Sequence, residues 1–225
     1  MIEKPKKKKK RPKRRLSRTA ELLKAAAIIF VIGIILRVLV ITPYKVPDNS
    51  MQSGLLPGDF LMTSQLSYKF DKPTSGDLIL FENPLKFGEK LVRRIVATEG
   101  QTVEITGKTV NVNGQAIVET GTVKHADYRI LPREFSSRDF MPRQLVPPGH
   151  VYVLGDNRDE TNDSRDFGPV PVGNIAGKGL FVYFSWTPDP NAPKMKSPYI
   201  IPAVQIFFYS LYTFPSRVRW DRLFA

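Results

Sequence analysis

The chain contains no cysteine in its 225 residues. That excludes disulfides, thiolate-ligated zinc and a thiol nucleophile. Histidine is nearly as scarce, with only His125 and His150 present. Two imidazoles offer little for a metal centre or a Ser-His-Asp triad, and both read as ordinary surface or hairpin positions. No metal and no cofactor is expected. Acidic charge is also scarce, but only locally. Residues 1–24 hold 12 of the 34 Lys and Arg against two acidic residues, while the rest of the chain is near balance at 22 basic to 19 acidic. The net charge of +13 therefore sits mostly in one self-repelling block with little to bury.

What is present begins with a single apolar run. Leu22 to Ile41 spans 20 residues, with Lys24 and Arg37 toward its ends. This is about the length that crosses ~30 Å of hydrocarbon, and the long basic side chains can reach the headgroups. The basic flank before it predicts a cytoplasmic N-terminus. A cleaved signal peptide has the same parts, but its apolar core is shorter, and no A-x-A-like site precedes Pro43-Tyr44-Lys45-Val46-Pro47. The expected organisation is a basic cytoplasmic tail over residues 1–21, a transmembrane helix over 22–42 and an extracytoplasmic domain over 43–225. A nucleic-acid arm would explain the tail and nothing downstream, so no nucleic-acid partner is expected.

The downstream chain reads as mainly β. Leu56-Pro57-Gly58-Asp59 and Pro73-Thr74-Ser75-Gly76-Asp77 each lead into a short apolar run. Thr109 to Val118 alternates around Asn113-Gly114, the pair that supplies φ > 0 at both turn positions of a hairpin. Val151–Leu154 and Gly179–Phe184 read as further strands, and residues 119–149, rich in Arg and Pro, as a loop-rich excursion. The apolar segment 199–214 places Val204, Phe207, Phe208, Leu211 and Tyr212 on one helical face, with Pro202 in the first turn. Two readings of that stripe stand: a helix packed on the β core, or one lying in a membrane interface.

Three motifs carry the chemistry. Pro47-Asp48-Asn49-Ser50-Met51 follows the apolar run and precedes Gly58-Asp59; Leu91-Val92-Arg93-Arg94-Ile95-Val96 comes next; Gly155-Asp156-Asn157-Arg158 and Asp163-Ser164-Arg165 close the set. In that order they resemble the bacterial type I signal peptidase (leader peptidase) family, over roughly residues 43–100 and 150–186, and faintly over 217–222. The resemblance implies a membrane-anchored domain of antiparallel sheets and a serine endopeptidase. Its expected partners are exported preproteins, through their signal peptides, and the lipid bilayer. It further implies a single-pass protein of the bacterial cytoplasmic membrane with its catalytic domain outside. Ser50 then matches the nucleophile, with Met51 beside it, and Arg93 stands at the general-base lysine. Arg94 with Asp156, and Asp163 with Arg165, match ion pairs that brace the site. Thr161 matches the hydroxyl that orients the lysine. Tyr44, Val46 and Val92 match the walls of shallow pockets for small residues of the signal peptide.

The chain departs from that pattern at two positions. A serine needs a neighbouring base, and a buried lysine serves because desolvation lowers its pKa. A guanidinium is effectively never deprotonated, so Arg93 cannot fill that role. Asp48 stands where a hydroxyl donor would help bind the oxyanion, and an ionised carboxylate only accepts. An Asp48–Arg93 pair would explain both changes. Lys90 could lend an amine, but its odd offset from Arg93 points it to the other face of a strand. The two readings of function are therefore a working peptidase, and a silent relative that binds exported polypeptides or assists assembly at the membrane.

Overall fold

The computed structural model describes residues 18–39, 41–119, 121–134, 136–195 and 200–224. Most of the expected basic tail, and Tyr199 at the head of the apolar segment, lie outside the described residues. The chain divides into two compact units, Met1–Val38 and Leu39–Ala225. Helix α1 runs over Arg18–Leu39, about 33 Å at 1.5 Å per residue. Among the described residues no helix is long and apolar enough to cross a membrane. The helix expected over 22–42 is corrected at its end. Ile41 and Thr42 already belong to strand β1 (Ile41–Lys45), because Pro43 biases the residue before it toward extended backbone.

The second unit is built on two antiparallel sheets. β1 is followed by β2 (Asp59–Ser64), a short helix α2 (Ser67–Phe70), β3 (Leu78–Glu82) and β4 (Lys90–Thr98). Next come β5 (Thr102–Thr106), β6 (Thr109–Val112), β7 (Gln115–Ala116) and β8 (Phe140–Leu145). The chain continues through β9 (His150–Leu154), α3 (Ser164–Phe167), β10 (Val170–Pro171) and β11 (Ile175–Ser185), and ends in α4 (Ile200–Arg217). The larger, seven-stranded sheet has the order β1-β2-β11-β3-β4-β9-β10, and the smaller has β7-β6-β5-β8. The turn between β6 and β7 is the Asn113-Gly114 pair, at φ 53 and 81, as the sequence implies. Strand β11 lies between β3 and β2 and pairs with both, with register shifts at Ile175–Gly177 against β3 and at Gly179–Phe181 and Val182–Phe184 against β2.

Residues 119–149 are not all excursion, since β8 pairs with β5 in the smaller sheet. Its sequence hides it. Met141 is its single buried residue, and Pro142 is tolerated on an edge strand at a bulge.

Strand β4 divides the core. Val92 packs with Val46, Met51, Leu55, Leu61, Leu80 and Val182. Leu91 and Ile95 pack with Ile79, Phe81, Val151 and Val153. By alternation Arg93 sits on the face of Leu91 and Ile95, so the core itself fixes where its side chain starts.

The packing of α4 corrects one reading of its stripe. Val204, Phe207, Phe208, Leu211 and Tyr212 are between 50% and 87% exposed and do not pack on the β core. The opposite side is the held one. The Tyr209 hydroxyl donates to Asp189, Arg217 stacks on Trp186 at 4.6 Å, and the Thr187 N–H donates to the Arg217 carbonyl at 2.9 Å.

Candidate active site

The loop carrying Ser50 is clamped at its base. Val46 N–H donates to the Asp59 carbonyl at 2.8 Å and Gly58 N–H to the Val46 carbonyl at 2.9 Å. Gly58 has φ 86, and a Cβ there would lie 2.0 Å from the Trp186 carbonyl oxygen, so only glycine fits. Inside the loop, Leu55 N–H donates to the Met51 carbonyl at 2.8 Å, forming one helical turn that buries Met51. The thioether sulfur of Met51 accepts from Asp156 N–H at 3.4 Å.

Ser50 is held from two sides. Its carbonyl accepts from Asn157 N–H at 3.0 Å and from the Thr161 hydroxyl at 3.1 Å. That hydroxyl also lies against the Asn157 carbonyl, and Gly155 makes room, since a Cβ there would meet Thr161 at 2.2 Å. Thr161 therefore positions Ser50 rather than Arg93. On the other side, Ser50 N–H donates to Asp48 Oδ1 at 3.0 Å. In a serine peptidase a backbone N–H of this kind would face the oxyanion.

Arg93 and Ser50 line one cleft of about 250 Å³ with Asp48, Asn49, Asn83, Glu89, Leu91, Glu160 and Asn162. Arg93 is 3% exposed. Its Nε donates to the Asn162 carbonyl at 2.9 Å and its Nη1 to the Val92 carbonyl at 2.7 Å. Among the described residues it has no carboxylate partner within ion-pair distance, so the expected Asp48–Arg93 pair does not form. Asp48 is engaged with Ser50 N–H instead. Burial pushes the Arg93 pKa down, against the opposing field of Asp48 and then Asp163. An arginine starts so high that this leaves it a cation.

A second, tight pocket opens beside the cleft. Tyr44, Val46, Pro47, Met51, Leu91 and Val92 line it, together with Asp48 and Arg93, and its cavity of about 10 Å³ holds about one water. Tyr44 donates its hydroxyl to the Lys90 carbonyl at 2.7 Å, and burial lifts its pKa to about 12. Lys90 itself is exposed.

The surrounding guanidiniums are paired. Arg94 grips Asp156 with two bonds of 2.9 and 2.7 Å. Arg165 grips Asp163 with two of 2.8 Å, and Asp163 also caps α3 through the Arg165 N–H. Arg158 meets Glu119 at 2.7 Å. Sequence reasoning passed over one further brace. Asp59, fully buried, accepts from Arg222 at 2.6 Å and from the Ser185 hydroxyl at 2.6 Å. Arg222 also donates to the Gly54 carbonyl at 2.8 Å and Arg219 to the Pro57 carbonyl at 2.6 Å. The C-terminal stretch thus holds the Ser50 loop, signalled in the sequence by the Gly58-Asp59 turn and the faint resemblance over 217–222. The cleft-lining Asn83 and Glu89 carried no recognisable signal, and Glu160 lay within the last motif without a role assigned to it.

A turn-borne serine and a buried cationic side chain thus line one cleft, beside a small pocket walled by Tyr44, Val46 and Val92. The family model described as signal peptidase, peptidase S26, matches residues 19–186, and the chain belongs to that family. A probable signal peptidase I-1 of Synechocystis sp. is 35% identical over 161 residues, covering 68% of this chain and 76% of that one. Thylakoidal processing peptidase 1, chloroplastic, of Arabidopsis thaliana is 34% identical, covering 77% of this chain; the chain spans 50% of that protein's length. A signal peptidase I of Aquifex aeolicus is 28% identical over 78% of this chain and 88% of its own. A crystal structure of a signal peptidase I from Enterococcus faecalis is 30% identical, covers 48% of this chain and 96% of that one, and has a TM-score of 0.38, too partial a likeness to bear on the fold.

Proposed function

We propose that the chain is a membrane-anchored serine endopeptidase of the signal peptidase I type. It removes signal peptides from exported preproteins, with Ser50 as nucleophile in a site slowed by Arg93 and Asp48. The observation that carries this reading is the shared cleft. Ser50 and a buried cation line one cavity of about 250 Å³, and the pocket of Tyr44, Val46 and Val92 beside it suits a small side chain. The Leu22–Ile41 apolar run of the sequence and its basic flank support a single membrane anchor with the N-terminus on the cytoplasmic side.

In this mechanism Ser50 Oγ attacks the scissile carbonyl. Arg93 stabilises the developing alkoxide by its charge but cannot accept the proton, which leaves to water in the cleft. Loss of a positioned base costs about 10²–10⁴ in rate. One observation favours the silent alternative: Asp48 already accepts the Ser50 N–H and so presents a carboxylate where an oxyanion would gather. Mass spectrometry of a preprotein incubated with the full chain in detergent decides between the two. Slow cleavage that Ser50→Ala abolishes is the expected result. Cleavage untouched by Ser50→Ala would overturn the assignment of the nucleophile, and binding without cleavage would establish the silent relative. A reporter fused after Ala225 should be active outside the cytoplasm; activity inside would overturn the orientation.

A further inference from the structure

We infer that helix α4 is a lipid-docking element that lays its aromatic face into the headgroup region of an anionic bilayer. The inference rests on the membrane-anchored reading above, which supplies the membrane, and it concerns a different part of the chain.

The outward face of α4 is apolar where a surface helix is normally polar. Phe207 and Phe208 are both 62% exposed, and the face continues through Leu211 and Tyr212. Trp220, 58% exposed and edge-on to Phe214 at 6.1 Å, extends the aromatic surface past the end of the helix. Exposed apolar surface of this extent marks an interaction site. The helix has no freedom to turn that face inward, because Tyr209 is tied to Asp189 and Arg217 to Trp186 and Thr187.

Charge selects the occupant. Residues 189–222 contain Lys194, Lys196, Arg217, Arg219 and Arg222 against Asp189 and Asp221, so the stretch is net positive. A second copy would set like charge against like, whereas an anionic lipid surface is complementary. Aromatic rings beside basic residues are the composition of an interfacial helix. The docking also reaches the site. Arg219 and Arg222, which follow α4 directly, bind the Pro57 and Gly54 carbonyls of the Ser50 loop, so the depth of the helix sets the depth of that loop.

The absence of cysteine makes the test direct. Single cysteines at Phe208→Cys, Ile29→Cys in α1 and Tyr128→Cys, which is 96% exposed, are each labelled with an environment-sensitive fluorophore on the full chain. The labelled proteins are reconstituted into phosphatidylglycerol–phosphatidylethanolamine vesicles with brominated acyl chains. The label at 208 should shift to the blue and lose intensity to the brominated lipid, as at 29, while the label at 128 does neither. The loss at 208 should shrink in vesicles of phosphatidylcholine alone. Quenching at 29 without quenching at 208 overturns the docking and leaves the anchor standing. Protection of 208 from aqueous iodide without quenching by brominated lipid indicates contact between copies and likewise overturns it. Quenching at neither position overturns docking and anchor together.

Discussion

The rim of the cleft and its centre obey different rules. Around the rim Arg94, Arg158, Arg165 and Arg222 each meet a carboxylate at 2.6 to 2.8 Å. At the centre Arg93 is as deeply buried, yet among the described residues it donates to two backbone carbonyls and meets no carboxylate. A buried charge without a counter-ion is costly, and carbonyl dipoles together with the more distant Asp48 and Asp163 offset only part of that cost. The rim carries the ion pairs that folding rewards, while the centre carries a guanidinium that cannot act as a base.

The largest expected effect lies at the centre. Arg93→Lys places an amine where burial lowers its pKa, and the cleavage rate should rise by about 10²–10⁴-fold. Because the neutral amine is the active form, the gain should grow as pH rises through the lysine pKa. Adding Asp48→Ser releases Ser50 N–H and removes a carboxylate from the oxyanion position, for about a further 10²-fold. Initial rates on a preprotein across pH measure both. A flat pH profile with no gain would show that the missing base is not what limits this site.

The next effect lies on the rim. Asp59→Ala leaves Arg222 without its partner and frees the loop that Arg222 also holds, and should destabilise the protein by about 3–5 kcal/mol in denaturant titration. Burial alone would raise the Asp59 pKa. The Arg222 bond, then the Leu56 N–H and the Ser185 hydroxyl, reverse this and hold it below the usual carboxylate range. The sign follows from linkage. The ionised form is favoured in the folded state, so the contribution is complete above the unfolded value of about 3.9 and is lost as pH falls through the lower folded value. Asp59→Asn should flatten that acid limb; an unchanged limb would show that Asp59 does not set it.

How much of this contrast was legible in the sequence depended on what each part needs. Two of the rim pairs, Arg94–Asp156 and Asp163–Arg165, announce themselves as ordered motifs, and their partners lie together. The Asn113-Gly114 turn was legible because positive φ restricts which residues fit. Strand β8 was not, since Pro142 and a single buried side chain mask its pattern. Neither was the fate of Asp48. Its identity suggests a partner for Arg93, but its position two residues before Ser50 makes the local backbone bond shorter to reach, as short polar side chains in turns commonly do. Periodicity found the stripe on α4 but could not tell an inward face from an outward one, because Tyr209 and Arg217, which fix the rotation, bond to residues far along the chain.

The smallest effect separates the two regions inside the loop itself. Ser53 adopts φ 101, a conformation that costs a non-glycine residue about 1–3 kcal/mol. It stands between Ser50 and the clamp at Gly58-Asp59. Ser53→Gly removes the Cβ that makes this conformation costly, though glycine gives back part of the gain through greater freedom in the unfolded chain. The net expectation is a stabilisation of about 1 kcal/mol. Cleavage should not change, because Ser50 is fixed through its own carbonyl by Asn157 and Thr161 and not through residue 53. If Ser53→Gly instead lowers the cleavage rate while raising the denaturation midpoint, the strain is what presents Ser50 to the cleft, and the loop belongs with the chemistry rather than with the scaffold.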